Sequence, residues 1–313
     1  MDLFKEIIKG NKVALAKGIT LLESSLSSDT LLAQKLLENC LPKSGNSIRI
    51  GITGVPGVGK STFIESFGKL LTNKGHKVAV LAIDPTSEKN FGSILGDKSR
   101  MHQLSVDENA FIRPSPSAGT LGGVASKTKD SIVLCEAAGF DIILVETVGV
   151  GQSETTVSNI CDFFLLMMLA GAGDELQGIK RGIMELADMI VISKAEGDNL
   201  QKSKNAKQEY QRALHLFPAM ENGWTPKVSV CSALENTGIT KIWEVIKEYN
   251  SKMDASDWKT GKRERQNIYF LHHTIKEELG NKKYNSLKSE GKLDVLETKL
   301  SEGKTIFQII EKI

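Results

Sequence analysis

The sequence has few cysteines and prolines, and no hydrophobic run is long enough to cross a membrane. Four cysteines and seven prolines occur in 313 residues, and no two cysteines form a C-x-x-C pair. This usage predicts reduced thiols in the core of a cytoplasmic protein. The longest apolar run, from Phe163 to Ala170, has the length of a buried strand. A membrane helix needs about 20 apolar residues, so no membrane segment is expected.

An excess of charge of one sign is also absent. The chain has 40 Lys and Arg against 38 Asp and Glu, a formal net charge of +2. This balance argues against a broad nucleic-acid surface, so nucleic acid is not expected as a partner. The basic stretch Lys262–Arg265 is interpreted as solvated. The N-terminus mixes acids and bases and lacks the basic-then-apolar order of a signal peptide.

Three segments with different patterns follow one another along the chain. In residues 1–45 apolar side chains recur at helical spacing, which predicts an N-terminal helical segment with Ser28–Thr30 as a candidate N-cap. Residues 46–250 alternate short apolar runs with helical stretches. Residues 251–313 are rich in Lys and Glu with scattered Leu and Ile. We expect this last segment to be a helical extension that packs on the main domain or on a second subunit, as a dimerisation arm.

Seven short apolar runs in the middle segment are candidate strands. Most are continuous rather than alternating, which is typical of strands buried on both faces of a parallel sheet. The predicted fold class is therefore α/β, with a mostly parallel sheet flanked by helices. The candidate strands are Ile48–Thr53, Val78–Ile83, Phe111–Arg113, Ile142–Val145, Phe163–Leu169, Met189–Ser193 and Val228–Cys231.

A glycine-rich motif predicts a phosphate site. Residues Gly54–Ser61 match G-x-x-x-x-G-K-[ST] between an apolar strand and a helix-compatible stretch. In that order, the glycines let backbone N–H groups surround the phosphates, and the helix N-terminus adds partial positive charge. Lys60 should reach the β- and γ-phosphates, and Ser61 should ligate Mg²⁺. The predicted nucleotide-binding residues here are Gly54, Val55, Pro56, Gly57, Val58, Gly59, Lys60, Ser61 and Thr62.

Acidic residues at two strand ends supply candidate metal ligands. Glu146 ends one candidate strand, and Gly149 follows three residues later, at positions that usually read D-x-x-G. In that motif the acid orients the metal and the glycine amide meets the γ-phosphate. Asp84 ends another strand, and ligands of open α/β sheets bind beyond the carboxyl ends of strands. These positions predict a magnesium site beside Ser61.

Two later segments predict a guanine site. Ser193-Lys194-Ala195-Glu196 is a degenerate N-K-x-D element, whose carboxylate accepts hydrogen bonds from guanine N1–H and the exocyclic amine while the lysine stem packs on the base. Adenine has an acceptor at N1, so a carboxylate there penalises ATP. Here serine replaces the amide residue, and Glu is one methylene longer than Asp. Ser232-Ala233-Leu234 resembles the S-A-x loop whose backbone contacts the guanine oxygen.

A family resemblance rests on longer strings. Residues 146–154, ETVGVGQSE, resemble the switch II signature of the MeaB/ArgK group of P-loop GTPases, which includes the mitochondrial MMAA protein. The strings GVPGVGKSTF, AIDPTS, GSILGDKSRM, FIRPSPSAGTLGG and GAGDELQGIKRGIMELAD agree with the same group. The resemblance extends from about residue 9 to 250. The base-reading element departs from the N-K-A-D usual in that family.

The resemblance implies a function and further site residues. Such proteins are homodimeric GTPases that chaperone adenosylcobalamin-dependent methylmalonyl-CoA mutase, gating cofactor loading and protecting the mutase; a related acyl-CoA mutase is an equal candidate here. Their hydrolysis is slow alone and faster with the partner. By resemblance the Mg²⁺ ligands are Ser61, Asp84, Asp97 and Glu146. Lys180, in a matching mobile loop, joins Lys60 and Glu146 as a catalytic residue.

Other interpretations of the same motifs stay open. A P-loop kinase or ATPase, of the kind once linked to arginine/ornithine transport, would need an acceptor pocket, and the sequence shows no acceptor pattern. A nucleotide-gated scaffold with negligible hydrolysis is a second alternative. Val150 stands where a catalytic glutamine could follow Gly149, which fits slow intrinsic turnover. A chaperone for a nickel enzyme would need a His- or Cys-rich tract, which the sequence lacks.

Overall fold

The computed structural model describes residues 2–24, 26–83, 101–114, 121–147, 153–171 and 181–313. Within these ranges, seven strands form one parallel sheet with the order β3-β2-β4-β1-β5-β6-β7. The strands are β1 (Ile48–Gly54), β2 (Val78–Ile83), β3 (Ala110–Pro114), β4 (Ile142–Thr147), β5 (Phe163–Met168), β6 (Met189–Ile192) and β7 (Lys227–Val230).

All seven candidate strands are confirmed, with bounds that differ by at most two residues. Every residue of β2, β4, β5 and β6 is buried. This is the reason for their continuous apolar sequences, because helices cover both faces of a parallel sheet. The predicted α/β fold class is confirmed.

Helices surround this sheet. In the described ranges they are α1 (Leu3–Ile8), α2 (Lys12–Glu23), α3 (Ser27–Cys40), α4 (Lys60–Asn73), α5 (His102–Ser105), α6 (Leu121–Ala137), α7 (Ser153–Ser158), α8 (Arg181–Leu186), α9 (Leu200–Leu214), α10 (Ile239–Ala255), α11 (Trp258–Ser289), α12 (Lys292–Ser301) and α13 (Ile306–Ile310). One hydrophobic cluster joins the sheet to α2, α6 and α9, and another joins its opposite face to α4 and α10. Alternate residues of the strands β2 to β6 enter the two clusters.

The N-terminal segment is helical, but the predicted N-cap of its third helix is wrong. Helix α3 begins at Ser27, and its N-cap Leu26 makes no side-chain capping hydrogen bond. Asp29 therefore lies in the first turn, where its Oδ2 accepts a 2.6 Å hydrogen bond from Ser24 Oγ. Ser24, which precedes the helix, therefore donates to Asp29, one of the residues that the sequence pattern predicted as the N-cap.

The C-terminal extension is helical and has its own apolar cluster. The helical backbone of α11 is interrupted at Gly280 (φ +80°), where the helix changes direction. The cluster joins α11, α12 and α13, and its buried members are Leu271, Ile275, Leu287, Leu293, Leu296 and Ile309. The dimerisation role of this extension stays a prediction.

The interpretation of the basic stretch at 262–265 as solvated is wrong for its first two residues. Arg263 binds both carboxylate oxygens of Asp162, at 2.8 and 2.7 Å, and also donates to the carbonyl oxygens of Gly45 and Ser47 at 2.6 and 2.8 Å. Lys262 Nζ donates to Asp162 O at 2.7 Å. These bonds attach α11 to the sheet and to the linker before β1.

A buried glutamine adds to the same attachment. Gln266 Nε2 donates to Cys161 O at 2.8 Å and to Ser158 O at 3.3 Å, at the end of α7. The four cysteines are free and buried, which confirms the predicted core thiols. Burial raises the pKa of Cys161 to about 12. No helix within the described ranges has both the length and the apolar character of a membrane span.

Candidate nucleotide-binding site

The phosphate loop joins β1 to α4 at the carboxyl edge of the sheet. Gly54 ends the strand, and a Cβ added there would lie 2.3 Å from Met167 O of β5, so only glycine fits. Gly59 precedes α4 in the left-handed region with φ +91°, which disfavours other residues. The loop therefore leads directly into the N-terminus of a 14-residue helix, where unpaired N–H groups favour an anion.

Lys60 lies over this loop. Its Nζ donates to Gly54 O at 3.0 Å, across the turn that the loop makes. The ammonium group is therefore at the place where the loop amides and the helix N-terminus converge. Three sources of positive potential in one place favour a phosphate chain.

Ser61 and Glu146 lie within hydrogen-bond distance. Ser61 Oγ donates to Glu146 Oε1 at 3.2 Å, and Glu146 is 2% exposed. The register of β1 and β4 places Glu146 beside Ile52, and Thr53 Oγ1 and Thr147 Oγ1 are 2.9 Å apart. A hydroxyl and a carboxylate oxygen are the hard donors that Mg²⁺ prefers, so the chemistry of this pair fits the implied metal.

The remaining predicted residues of the phosphate side fall in other parts of the chain. Asp84, Asp97, Gly149 and Lys180 lie outside the described residues. Inside the described ranges, no group of three or more His, Cys, Asp or Glu could hold a metal ion.

A cavity of about 110 Å³ lies beside the loop and contains most of the predicted base-reading residues. It is lined by Val58, Gly59, Thr62, Phe63, Met167, Ser193, Lys194, Glu196, Cys231, Ala233 and Leu234. Ser232 does not line it, since its hydroxyl accepts a hydrogen bond from Glu235 N at 3.0 Å and so stabilises the turn after β7. Phe63, Met167 and Cys231 are additional lining residues that no motif indicated.

Glu196 has an unsatisfied oxygen in this cavity. Its Oε2 is buried and has no hydrogen-bond partner in the described part of the chain. A buried acceptor without a donor costs free energy, so the arrangement favours a ligand that brings N–H groups. Lys194 has φ +55°, and its Cε lies 3.9 Å from the position of a Cβ on Gly59. Its stem therefore runs along the loop side of the cavity.

Ser193 connects the base element to the phosphate loop. It is 4% exposed, and its Oγ donates to Val58 O at 2.7 Å. Ala195 N donates to Cys231 O at 3.0 Å, which joins the segments after β6 and β7. The two base elements and the loop are thus held together by direct hydrogen bonds.

This parallel sheet, with a strand, a glycine-rich loop and a helix beside a strand-end acid, defines a P-loop nucleoside-triphosphate hydrolase. Residues 15–288 match the family model described as Methylmalonyl Co-A mutase-associated GTPase MeaB. The chain belongs to this family and is a GTP hydrolase.

Individual relatives agree with this membership. The chain is 46% identical to GTPase ArgK of Escherichia coli (strain K12) over 280 residues, which cover 90% of this chain and 85% of the relative. It is 46% identical over 285 residues to the mitochondrial Methylmalonic aciduria type A homolog of Mus musculus, covering 88% of this chain and 69% of that protein. The crystal structure of a LAO/AO transport system kinase has a TM-score of 0.77 at 37% identity, covering 99% and 96% of the chains. The resemblance predicted from the motifs is confirmed.

Proposed function

We propose that this GTPase is a nucleotide-gated chaperone of an adenosylcobalamin-dependent methylmalonyl-CoA mutase or a related acyl-CoA mutase. In this role it gates loading of the mutase cofactor and protects the mutase. The name of the family and that of the mouse relative support the choice of partner. The observation that carries the nucleotide part is the meeting of Lys60, Ser61 and Glu146 at one edge of the sheet.

The phosphate loop binds the triphosphate in this proposal. Loop amides from Gly54 to Gly59 and the first turn of α4 surround the phosphate oxygens. Lys60 Nζ, now 3.0 Å from Gly54 O, exchanges this carbonyl for a phosphate oxygen when nucleotide binds. The exchange is favourable because a phosphate oxygen carries negative charge, so the ammonium gains the attraction of opposite charges that a neutral carbonyl does not offer. Gly149 donates its amide to the γ-phosphate.

Ser61 and Glu146 would hold Mg²⁺ together with Asp84 and Asp97. Bound Mg²⁺ neutralises charge on the phosphate oxygens. Glu146 keeps the Ser61 hydroxyl oriented through their 3.2 Å hydrogen bond. Lys60 and Lys180 offset the negative charge that develops during hydrolysis.

The base site would read guanine by its N–H groups. Glu196 Oε2, which lacks a partner among the described residues, accepts from N1–H and the exocyclic amine. The Lys194 stem packs on the base face, and the backbone of Ser232-Ala233-Leu234 contacts the guanine oxygen. Adenine would place an acceptor against the Glu196 carboxylate.

The division into residues 1–45, 46–250 and 251–313 and the dimerisation role of the last segment belong to the same proposal. A homodimer would bring two nucleotide sites to one mutase complex. The free, buried cysteines support a cytoplasmic location, because reducing compartments keep thiols unpaired.

The kinase or ATPase alternative has one observation in its favour. The solved structure that aligns over 99% of this chain is named a transport system kinase. A kinase transfers phosphate to an acceptor, whereas a GTPase releases phosphate to water. Release of inorganic phosphate from GTP without any added acceptor therefore supports the GTPase interpretation, and acceptor-dependent turnover contradicts it.

Single-turnover hydrolysis of GTP tests the main proposal. Lys60→Ala should lower the rate about 10²- to 10³-fold, since one electrostatic contact to the reacting group is lost. Lys74→Ala is the matched control, because Lys74 is exposed at the opposite end of α4. Addition of purified mutase should accelerate the wild type and leave Lys60→Ala slow. No acceleration with either acyl-CoA mutase would contradict the chaperone role, and equal rates for the two lysine variants would contradict the site.

A further inference from the structure

Ser193 occupies the position where the usual base-reading element has an asparagine. It follows β6 directly and lines the cavity between the phosphate loop and Glu196. Its hydroxyl lies 2.7 Å from Val58 O and 3.3 Å from Met168 O. Both neighbours are carbonyl oxygens, and these can only accept.

A hydroxyl has one hydrogen, whereas a side-chain amide has two on its nitrogen. The single hydrogen of Ser193 is used within the protein, since both contacts are acceptors. An asparagine here could donate one hydrogen to the loop and the second to a bound base. Serine keeps the first interaction and loses the second.

The hydrogen-bonding groups of guanine follow one another around the ring: the exocyclic amine, N1–H and O6 share one edge, and N7 lies beside O6 on the next edge. In the proposed base site, Glu196 binds the amine and N1–H, and the backbone near Ala233 binds O6. N7 comes after O6 and is a pure acceptor, so only a donor can hydrogen-bond to it. Ser193 lies three residues before Glu196 in the same segment, and its hydroxyl contacts Val58 O of the loop.

The other side chains of the cavity do not replace that donor. Thr62 and Lys194 are exposed at its rim. Cys231 is buried, but a thiol is a weak donor. Burial also raises the pKa of Cys231 to about 12.

We propose that this site recognises guanine without reading N7. Specificity is set by Glu196 at N1–H and the exocyclic amine, and Ser193 holds the base element against the phosphate loop. The ligand class is therefore wider than guanine itself and includes 7-deazaguanine nucleotides, in which a C–H group replaces N7. This inference rests on the base site described under the proposed function.

Competition of GDP, 7-deaza-GDP and ADP against a fluorescent guanine nucleotide tests the inference. The wild type should bind GDP and 7-deaza-GDP with affinities within about twofold of each other. Ser193→Asn should bind GDP roughly three- to tenfold more tightly than 7-deaza-GDP, the range for one net hydrogen bond. Ser193→Ala should weaken both nucleotides and leave their ratio unchanged, because only the bond to Val58 is lost.

The outcomes separate the two proposals. A wild type that prefers GDP over 7-deaza-GDP by about threefold or more overturns this inference and leaves the guanine site intact. A wild type that binds ADP as tightly as GDP overturns the base site itself. An unchanged ratio in folded Ser193→Asn overturns the assignment of this position to N7, and the wild-type ratio decides alone if that variant does not fold.

Discussion

Carboxylates have different roles at the amino edge of the sheet, where the strands begin, and at the carboxyl edge, where the strands end. At the amino edge, Asp141, Asp162 and Asp188 stand immediately before β4, β5 and β6. Each accepts a backbone N–H next to the start of an adjacent strand: Asp141 from Lys77 at 2.7 Å, Asp162 from Arg49 at 2.9 Å and Asp188 from Phe164 at 2.8 Å. At the carboxyl edge, Glu196 has a buried oxygen without a partner in the described residues.

Side chains also donate hydrogen bonds to carboxylates at the amino edge. Arg49 binds both oxygens of Glu136 at 2.8 and 3.0 Å, and Ser47 Oγ donates to Oε1 at 2.5 Å. Burial alone would raise the pKa of Asp162, but Arg263 and Arg49 together outweigh burial and hold the pKa of that carboxyl below its usual value. Acids that the chain itself satisfies stabilise the fold, whereas an acid left unsatisfied indicates a ligand.

The largest effect should come from breaking the amino edge. Arg263→Met should lower the free energy of unfolding by about 3–5 kcal/mol, because it leaves Asp162 buried without its cation. Urea denaturation measures this loss. Arg265→Met is the control, since Arg265 is exposed and only stacks 4.5 Å from the centre of the Trp258 ring. Equal losses in the two variants would refute the structural role of the amino edge.

Glu196→Gln should weaken nucleotide binding at the carboxyl edge without lowering the stability of the fold. We expect GDP to bind roughly 10- to 100-fold more weakly, because hydrogen bonds to an ionised acceptor are lost. ADP affinity should change little, and the unfolding midpoint should stay near that of the wild type. Competition binding measures the nucleotide affinities, and a melting curve on the same samples measures the stability. A large drop in stability with unchanged GDP affinity would assign Glu196 to the structure instead.

Glu146→Gln sharpens the comparison at the proposed metal site. Apparent Mg²⁺ affinity in the presence of GDP should fall by about 10- to 100-fold, since the variant loses the carboxylate charge beside Ser61. Titration of Mg²⁺ against nucleotide fluorescence measures this change. Removal of Mg²⁺ with EDTA should weaken GDP binding in the wild type and have a smaller effect in the variant. An identical response to EDTA in both proteins would argue against this carboxylate as a ligand.

Asp188→Asn tests the aspartate of the amino edge whose ionised form is disfavoured by burial. Burial raises the pKa of Asp188 to about 6, even with Lys262 nearby and the Phe164 N–H bound. The folded state therefore holds a proton that the unfolded state releases between about pH 4 and 6. Wild-type stability from this group falls as pH rises through that window.

The Asp188→Asn variant should not show this loss of stability as the pH rises. Between pH 5 and pH 7.5, the stability difference should shift in favour of Asp188→Asn by roughly 1–2 kcal/mol. Chemical denaturation at the two pH values measures it. The other titrating groups that face Asp188 are common to both proteins; they are Lys262, Tyr249, Asp162 and Cys161. A parallel pH dependence in wild type and variant would contradict the raised pKa.

The sequence was most informative where local pattern decides structure. Short apolar runs, most of them continuous, located the seven strands of the described residues, because burial on both faces of the sheet favours apolar side chains. The phosphate loop has a spacing that follows from backbone geometry, so its place between β1 and α4 could be predicted. The roles of its side chains stay predictions.

Pairings across long chain separations could not be predicted. Arg263 and Asp162 are 101 positions apart, and only the folded chain brings them together. The aspartates before the strands have no spacing signal either, because each bonds to a strand that is distant in sequence. The hydroxyl of Ser232 accepts from Glu235 N, a role within the turn that the motif did not indicate, and the predicted backbone contact of this segment with the base stays a prediction.

The attachment of α11 has a consequence for any shortened form of this chain. Arg263 and Gln266 donate to four carbonyl oxygens, those of Gly45, Ser47, Ser158 and Cys161. A fragment that stopped at residue 250 would leave these carbonyl oxygens without the donors of α11, and the Asp162 carboxylate would keep the Arg49 N–H but lose the Arg263 guanidinium. We therefore expect truncation at this point to yield aggregation-prone material instead of a minimal GTPase.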